Sequence, residues 1–204
     1  MSEQLLIILA IVLVVVLLGV VALIYYRKKH PRKDKRLGRS DGSRKVVAPA
    51  RAFARSHRFR LIAPAHLLAN KKGAKLDAII VGYFGVLGVI GLGYNGNIYG
   101  AANESEWLQI NEGGQRTYFP NPMDEASAAV RVIRNTLSSP KLKQIPVEVV
   151  AVFTDSTVQL AVPKTAGPHS LKTFKALLHK DKYLDDTGLD LDAVEAAIRA
   201  AVVE

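Results

Sequence analysis

The sequence contains no cysteine, which excludes disulfide bonds, thiolate nucleophiles and cysteine-ligated metal ions. Its five histidines are scattered along the chain, without the spacing that histidine ligands of a metal ion show. No P-loop, internal repeat or arrangement typical of a serine nucleophile can be recognised. Function must therefore be inferred from the distribution of charge and from the order of strands and turns.

Charged side chains are absent from residues 5–26, which form a continuous apolar run. A helix of this length spans roughly 33 Å, about the thickness of the hydrocarbon core of a bilayer. A cleavable signal peptide would begin with basic residues, whereas this chain begins Met-Ser-Glu-Gln. We therefore expect residues 1–26 to form an uncleaved transmembrane anchor; a buried core helix is the alternative.

Acidic residues are scarce in the segment that follows. Residues 27–76 hold 17 Lys or Arg against Asp34 and Asp41, a net charge of +15, whereas residues 77–204 hold 11 basic and 15 acidic residues, a net charge of −4. Basic residues next to a membrane span mark its cytoplasmic side. We expect a single-pass protein of the cell membrane, with the N-terminus outside and the C-terminal domain in the cytoplasm.

Residues 27–46 are predicted to be a polybasic linker without fixed structure, because Pro31, Gly38 and Gly42 interrupt it. Each basic residue near an anionic leaflet contributes about 1 kcal/mol to membrane binding. We interpret the segment as a topology signal followed by a solvated linker. The alternative is contact with phosphate groups of lipids or of nucleic acid, through Arg27, Lys28, Lys29, Arg32 and Lys33.

Residues 47–204 are predicted to form one α/β domain, with a mixed β-sheet flanked by helices. Runs typical of strands cover residues 59–68 (interrupted by Pro64), 76–81, 86–92, 98–99, 107–110, 147–153 and 158–162. Helices are predicted from Asn121, from Ser170 and near the C-terminus, with a further short helix over residues 48–57.

The run Gly-Leu-Gly-Tyr-Asn-Gly at residues 91–96 has the glycine spacing of a dinucleotide-binding turn. Such a turn requires a helix that opens at the last glycine, because the helix N-terminus holds the pyrophosphate. Residues 97–103 have no helical pattern, so we interpret Asn95-Gly96 as a hairpin turn. A second membrane span over residues 78–94 is the other interpretation of this apolar region, but its many glycines favour a buried hairpin.

The same glycine-rich region carries a family resemblance. Residues 76–100 read LDAIIVGYFGVLGVIGLGYNGNIYG, and this run resembles the core hairpin of the NERD (nuclease-related) domain, a family of the PD-(D/E)xK nuclease type. The matching positions are Asp77, the hairpin glycine Gly85, the closing element at residues 96–100, Trp107, and the helix start NPMDEA at residues 121–126, with Glu125 where the family has glutamine. The resemblance covers residues 50–165 and implies a restriction-endonuclease-like fold.

The catalytic residues of the family do not carry over to the matching positions. The resemblance implies that an Asp and a Glu hold a divalent metal ion, with a Lys nearby to position water. The Glu-x-Lys positions fall on Ile90-Gly91-Leu92, or on Gly91 and Gly93 if the alignment is shifted by one residue, and residues 78–103 contain no charged side chain. Asp77 remains as a remnant of the site, with Glu125 as a weaker candidate. We expect Asp77 to hydrogen-bond a neighbouring backbone N–H group, and Ile90 and Leu92 to join the apolar interior.

Together, these features predict a membrane-anchored, catalytically inactive relative of the NERD nucleases that needs no cofactor and acts by binding or scaffolding. Its expected partners are membrane lipids, a protein at the inner face of a bacterial membrane, or nucleic acid. Nucleic acid would contact the basic residues Arg51, Arg55, Arg58, Arg60, Lys71, Lys72 and Lys75, for which a solvated face is the favoured interpretation. The alternative is a Mg²⁺- or Mn²⁺-dependent nuclease acting on DNA or RNA at a displaced site, in which Glu104 or Glu125 joins Asp77.

Overall fold

The computed structural model describes residues 13, 16–17, 19–20, 39–163 and 167–203, and the chain divides into two units, residues 1–36 and 37–204. Most of the predicted anchor lies outside the described residues. The positions within it that are described are helical, and its apolar side chains there are at least half exposed: Leu13, Val16, Leu17 and Val20. Among the described residues, no helix is both long enough and apolar enough to span a bilayer.

The second unit begins with a helix and eight consecutive strands, followed by a helix, three strands and two C-terminal helices. The helices are α1 (Arg39–Ser56), α2 (Pro122–Thr136), α3 (Leu171–Leu178) and α4 (Leu191–Arg199), with a 3-10 turn at Asp181–Tyr183. The strands are β1 (Arg60–Ile62), β2 (Ala65–Ala69), β3 (Lys72–Leu76), β4 (Ala78–Gly82), β5 (Gly85–Leu92), β6 (Asn97–Tyr99), β7 (Glu106–Ile110), β8 (Arg116–Pro120), β9 (Val147–Phe153), β10 (Gln159–Ala161) and β11 (His169–Ser170).

The central sheet has five strands in the order β1-β4-β5-β9-β11. β4 pairs antiparallel with β1 and β5, whereas β5, β9 and β11 run parallel to one another. Every residue of β4 and β5 is buried. Strands that are covered on both faces of a sheet are apolar throughout rather than alternating, which explains the uncharged run between residues 78 and 92.

Alternate side chains of β4 enter two separate cores, one on each face of the central sheet. Ile79 and Val81 belong to the first core, which also contains residues of α2, α4, the β2–β3 hairpin and the smaller sheet. Ala78 and Ile80 belong to the second core, which contains residues of α1 and α3. The prediction of a mixed sheet flanked by helices is therefore confirmed.

A smaller sheet, with the strand order β10-β6-β7-β8, packs its inner side into the first core. Trp107 is fully buried there, and its indole Nε1 donates a hydrogen bond to the Ala101 carbonyl at 3.0 Å. The predicted strands at 98–99 and 107–110 form β6 and β7 of this sheet. Strand β8 had no signal in the sequence, because only Phe119 of its residues is buried.

The helix starts that the sequence predicts are confirmed. The Asn121 side chain accepts a hydrogen bond from the Met123 amide at 2.9 Å and caps α2. Ser170 and Thr173 form a reciprocal capping box at the start of α3. These signals could be recognised because a helix cap depends only on neighbours within one turn.

Three features differ from the sequence-based expectations. Helix α1 begins at Arg39, within the segment 27–46 that composition indicated as an unstructured linker, because its inner side is buried on the central sheet. Asn95-Gly96 is not a hairpin turn, since β5 and β6 belong to different sheets. The apolar run 78–94 forms β4 and β5, so the interpretation of this run as a second membrane span is wrong.

Candidate functional site

The β4–β5 hairpin places Asp77 beside the positions that correspond to the Glu-x-Lys pair. Ala78 pairs with Val89 across the hairpin, and the Asp77 amide donates a hydrogen bond to the Val89 carbonyl at 2.9 Å. This register brings Asp77 next to Ile90, the first residue of Ile90-Gly91-Leu92.

The Asp77 carboxylate accepts a hydrogen bond within the central sheet. Its side chain is buried, with 7% of the residue exposed, and its Oδ2 accepts a hydrogen bond from the Gly91 amide at 2.5 Å. β3 ends at Leu76 and β4 begins at Ala78, so Asp77 lies where the chain passes from one strand to the next. Its carboxylate extends the hydrogen bonding of β5 beyond the first residue of β4. A charge-assisted hydrogen bond of this kind is short and strong.

The two other positions of the Glu-x-Lys pattern are apolar and inaccessible. Ile90 is fully buried and Leu92 is 7% exposed, and both belong to the first core. Trp107 and Phe153 lie in the same core. An ionised group among these side chains would be removed from water without a partner, at a large cost in free energy.

Helix α1 covers the middle of this segment. A Cβ atom built on Gly91 would lie 2.7 Å from both the carbonyl carbon and the carbonyl oxygen of Gly42, so the two backbones are in direct contact. From Gly42 to its end, α1 contains no acidic residue.

Lys45 is a basic residue near this site that sequence reasoning missed. Its Nζ donates a hydrogen bond to the Thr154 carbonyl at 3.3 Å, and the Thr154 amide and Oγ1 both donate to the Leu92 carbonyl. Lys45 thus links α1 to the ends of β5 and β9. No local pattern reveals this bond, because its partners are 109 residues apart.

The acidic residues considered for a displaced site lie elsewhere. The Glu104 Oε2 accepts a hydrogen bond from the Ala101 amide at 2.9 Å. Glu125 is exposed on α2; burial raises the pKa of Tyr94, and the charge of Glu125 acts in the same direction. Within the part of the chain that the structure describes, no three His, Asp or Glu side chains are grouped closely enough to hold a metal ion.

A cleft of about 280 Å³ opens on the second-core side of the domain, lined in part by Phe84, Pro146 and Glu148. The Tyr183 hydroxyl and Lys182 Nζ both donate hydrogen bonds of 2.8 Å to the same Glu148 oxygen. Burial, followed by the bond to Glu148, raises the pKa of Tyr183 above its ordinary value. The carboxylate is thus paired, and the cleft contains no free nucleophile among these groups.

The basic residues that were predicted to contact nucleic acid do not form one surface. Arg51 and Arg55 are exposed on α1, whereas Lys72 and Lys75 are exposed on β3, whose apolar side packs into the first core. Arg60 forms ion pairs with Asp192 and Glu195. Arg27, Lys28, Lys29, Arg32 and Lys33 lie outside the described residues.

Comparison with protein families gave one result that bears on this site. The NERD family, described as a nuclease-related domain, matches residues 40–154, which is more than half of the 204-residue chain. The match runs from α1 through β9 and includes Gly42, Asp77 and Gly91. Comparisons with curated proteins and with solved structures gave no match.

Proposed function

Because the chain belongs to the nuclease-related domain (NERD) family, we propose that it is a membrane-anchored member that holds no catalytic metal ion and acts by binding or scaffolding. The observation that carries this proposal is the hydrogen bond from the Gly91 amide to the Asp77 carboxylate, in a hairpin where Ile90 and Leu92 take the positions of the Glu-x-Lys pair. Of the positions that would hold the ion, one is therefore occupied by the apolar Ile90, and the other by Asp77, whose carboxylate already accepts a hydrogen bond within the sheet.

Coordination chemistry supports this proposal. Mg²⁺ in nucleases is held by at least one or two carboxylates together with substrate phosphates and water. Asp77 offers one carboxylate, which is buried and already accepts a hydrogen bond from Gly91. Nucleases of this type also need a Lys to position water, and the position that corresponds to it is occupied by Leu92.

The membrane part of the proposal rests on the uncharged run 5–26 and on the basic excess that follows it. We place the N-terminus outside the cell membrane and the NERD domain at the cytoplasmic face. The partners that we propose are membrane lipids and a protein or nucleic acid that is recruited to the membrane by this domain.

Two assays on the full chain test the two halves of this proposal. Incubation of the detergent-purified chain with DNA and RNA in Mg²⁺ or Mn²⁺ is expected to give no cleavage. Cleavage that disappears in Asp77→Ala would instead establish a nuclease with a displaced site. Alkaline carbonate extraction of membranes is expected to leave the chain in the pellet, and its release into the supernatant would contradict the anchor.

A further inference from the structure

The outer side of α1 carries a row of arginines. Arg44, Arg51 and Arg55 recur at helical spacing and are exposed, on the side of α1 opposite the buried Val46 and Phe53. Between them lie the exposed small residues Ala48 and Ala52, so no bulky side chain separates the guanidinium groups. This row is directed away from the central sheet.

Helix α3 lies beside α1 and extends the positive charge. Phe53 and Ala54 of α1 pack in the second core together with Phe174 and Leu177 of α3. The exposed side of α3 carries Lys172 and Lys175. We call the exposed surface around Arg44, Arg51, Arg55, Lys172 and Lys175 on these two helices the basic helical face; Lys45, which is also exposed on α1, instead directs its Nζ to the Thr154 carbonyl.

From Gly42 onward, the two helices of the basic helical face contain no acidic residue. Residues 42–56 and 171–178 contain no Asp or Glu, and no ion pair involves its five charged residues within the part of the chain that the structure describes. Like charges at positions i and i+4, such as Arg51 and Arg55, destabilise a helix. An anionic surface would relieve this repulsion.

The helices on the other face of the sheet are different in charge. On α4, Glu195 pairs with Arg199 and with Arg60, and Asp192 pairs with Arg60. On α2, the exposed Asp124 and Glu125 accompany exposed arginines. Among the four helices, an excess of basic over acidic residues is therefore found on α1 and α3.

We propose that the basic helical face docks onto an anionic phospholipid surface and holds the domain flat against the membrane. Helix α1 follows the predicted span after residues 27–38, which reach at most about 40 Å when fully extended. A tether of this length gives the face a high effective concentration at the bilayer. This tether rests on the proposed anchor, whereas the charge pattern of the face is independent of it.

A lipid surface fits this face better than a nucleic acid does. Proteins that bind single strands combine basic residues with aromatic side chains on which the bases stack, and none of the exposed residues of α1 and α3 is aromatic. The polybasic segment 27–38 leads directly into α1, so the two form one continuous basic region in the sequence. Polybasic segments next to a span bind anionic lipids.

The absence of cysteine allows a direct test with the full chain in vesicles. Ala48→Cys, on the basic helical face, and Ser138→Cys, exposed after α2 on the opposite side, would each carry a fluorophore. The vesicles would contain phosphatidylcholine with or without phosphatidylglycerol, and a trace of lipid with a nitroxide on its headgroup. We expect quenching of the fluorophore at position 48 that requires phosphatidylglycerol and declines with salt, and no quenching at position 138.

Two triple charge-reversal variants, one on each side of the domain, complete the test. Arg51→Glu, Arg55→Glu and Lys172→Glu together should abolish the quenching at position 48, whereas Arg131→Glu, Arg134→Glu and Lys141→Glu, exposed on the opposite side, should leave it unchanged. Equal quenching without phosphatidylglycerol, equal quenching at positions 48 and 138, or no effect of the first triple variant would overturn the proposal. So would loss of the quenching upon addition of RNA or DNA, which would assign the face to nucleic acid.

The proposed anchor and the proposed docking of the basic helical face can be refuted independently of each other. If carbonate extraction releases the chain, the anchor is refuted, and the chain can then be added to preformed vesicles from solution. If the chain then floats with phosphatidylglycerol vesicles, and the first triple variant weakens this binding at least roughly tenfold, docking of the basic helical face onto anionic lipid is still supported. Equal flotation with both kinds of vesicle would overturn it.

Discussion

Gly42 and Gly91 bring the backbone of helix α1 into direct contact with strand β5. A Cβ atom added to Gly42 would lie 2.6 Å from the Gly91 carbonyl carbon, and one added to Gly91 would lie 2.7 Å from the Gly42 carbonyl carbon. Both neighbours are backbone atoms, which cannot move aside as the end of a flexible side chain can. This contact fixes α1 over the segment where the family resemblance places the Glu-x-Lys pair.

Gly91→Ala is therefore expected to lower the free energy of unfolding by about 1–3 kcal/mol, the usual cost of overpacking a core. Gly73→Ala is a matched control in β3, because its Cβ would meet no atom closer than 3.6 Å. Urea unfolding in detergent, followed by the fluorescence of the single buried tryptophan, Trp107, measures both variants. Equal stability of the two variants would contradict the backbone contact.

We expect Asp77 to contribute to the stability of the fold and not to catalysis. Asp77→Ala leaves the Gly91 amide without its acceptor, and a buried unpaired N–H group costs about 1–3 kcal/mol. Asp77→Asn retains an acceptor oxygen and should lose less. The same urea unfolding ranks the variants, and an Asp77→Ala protein as stable as the original would argue that the carboxylate is kept for a ligand.

Introducing a Glu-x-Lys pair at positions 90 and 92 should not produce nuclease activity. Ile90→Glu with Leu92→Lys would bury two charges in the first core, where each ion costs several kcal/mol. We expect an unfolded or strongly destabilised chain without metal-dependent cleavage. Leu68→Glu with Leu184→Lys is the control, because these leucines are 51% and 46% exposed. A folded Ile90→Glu, Leu92→Lys chain that cuts nucleic acid with Mn²⁺ would refute this expectation.

Stability should decline in mild acid because of His169. Burial is the main cause that lowers the pKa of His169 below 6.5, and Lys180 and Lys182 act in the same direction against the opposing charge of Glu148. The unfolded chain therefore binds the proton more readily, so the free energy of unfolding is highest above pH 6.5 and declines as the pH is lowered.

Unfolding midpoints measured across this pH range test the assignment. His169→Gln should flatten the decline, whereas His66→Gln, at an exposed position of β2, should leave it in place. A pH dependence that is identical in His169→Gln and in the original chain would show that another group is responsible.

The sequence predicts elements whose signals are local. The apolar runs of β4, β5 and β9 and the caps at Asn121 and Ser170 depend on neighbouring residues, and all were predicted. The prediction that Asp77 bonds a backbone N–H group is also confirmed, although the partner, Gly91, could be identified only from the strand register.

Long-range contacts explain what the sequence did not reveal. The start of α1 depends on the packing of Gly42 against Gly91, and the role of Lys45 depends on Thr154, 109 residues away. Composition around Gly42 indicates a linker, because glycine and serine disfavour helices in isolation. Burial on the sheet overrides this preference, as tertiary packing commonly does.

Electron paramagnetic resonance of the full chain in detergent, with increasing amounts of Mn²⁺, shows whether the NERD domain holds a catalytic metal ion. We expect the Mn²⁺ signal to remain that of the free ion, with no difference between the original chain and Asp77→Ala. One tightly bound Mn²⁺ per chain that is lost in Asp77→Ala would contradict it.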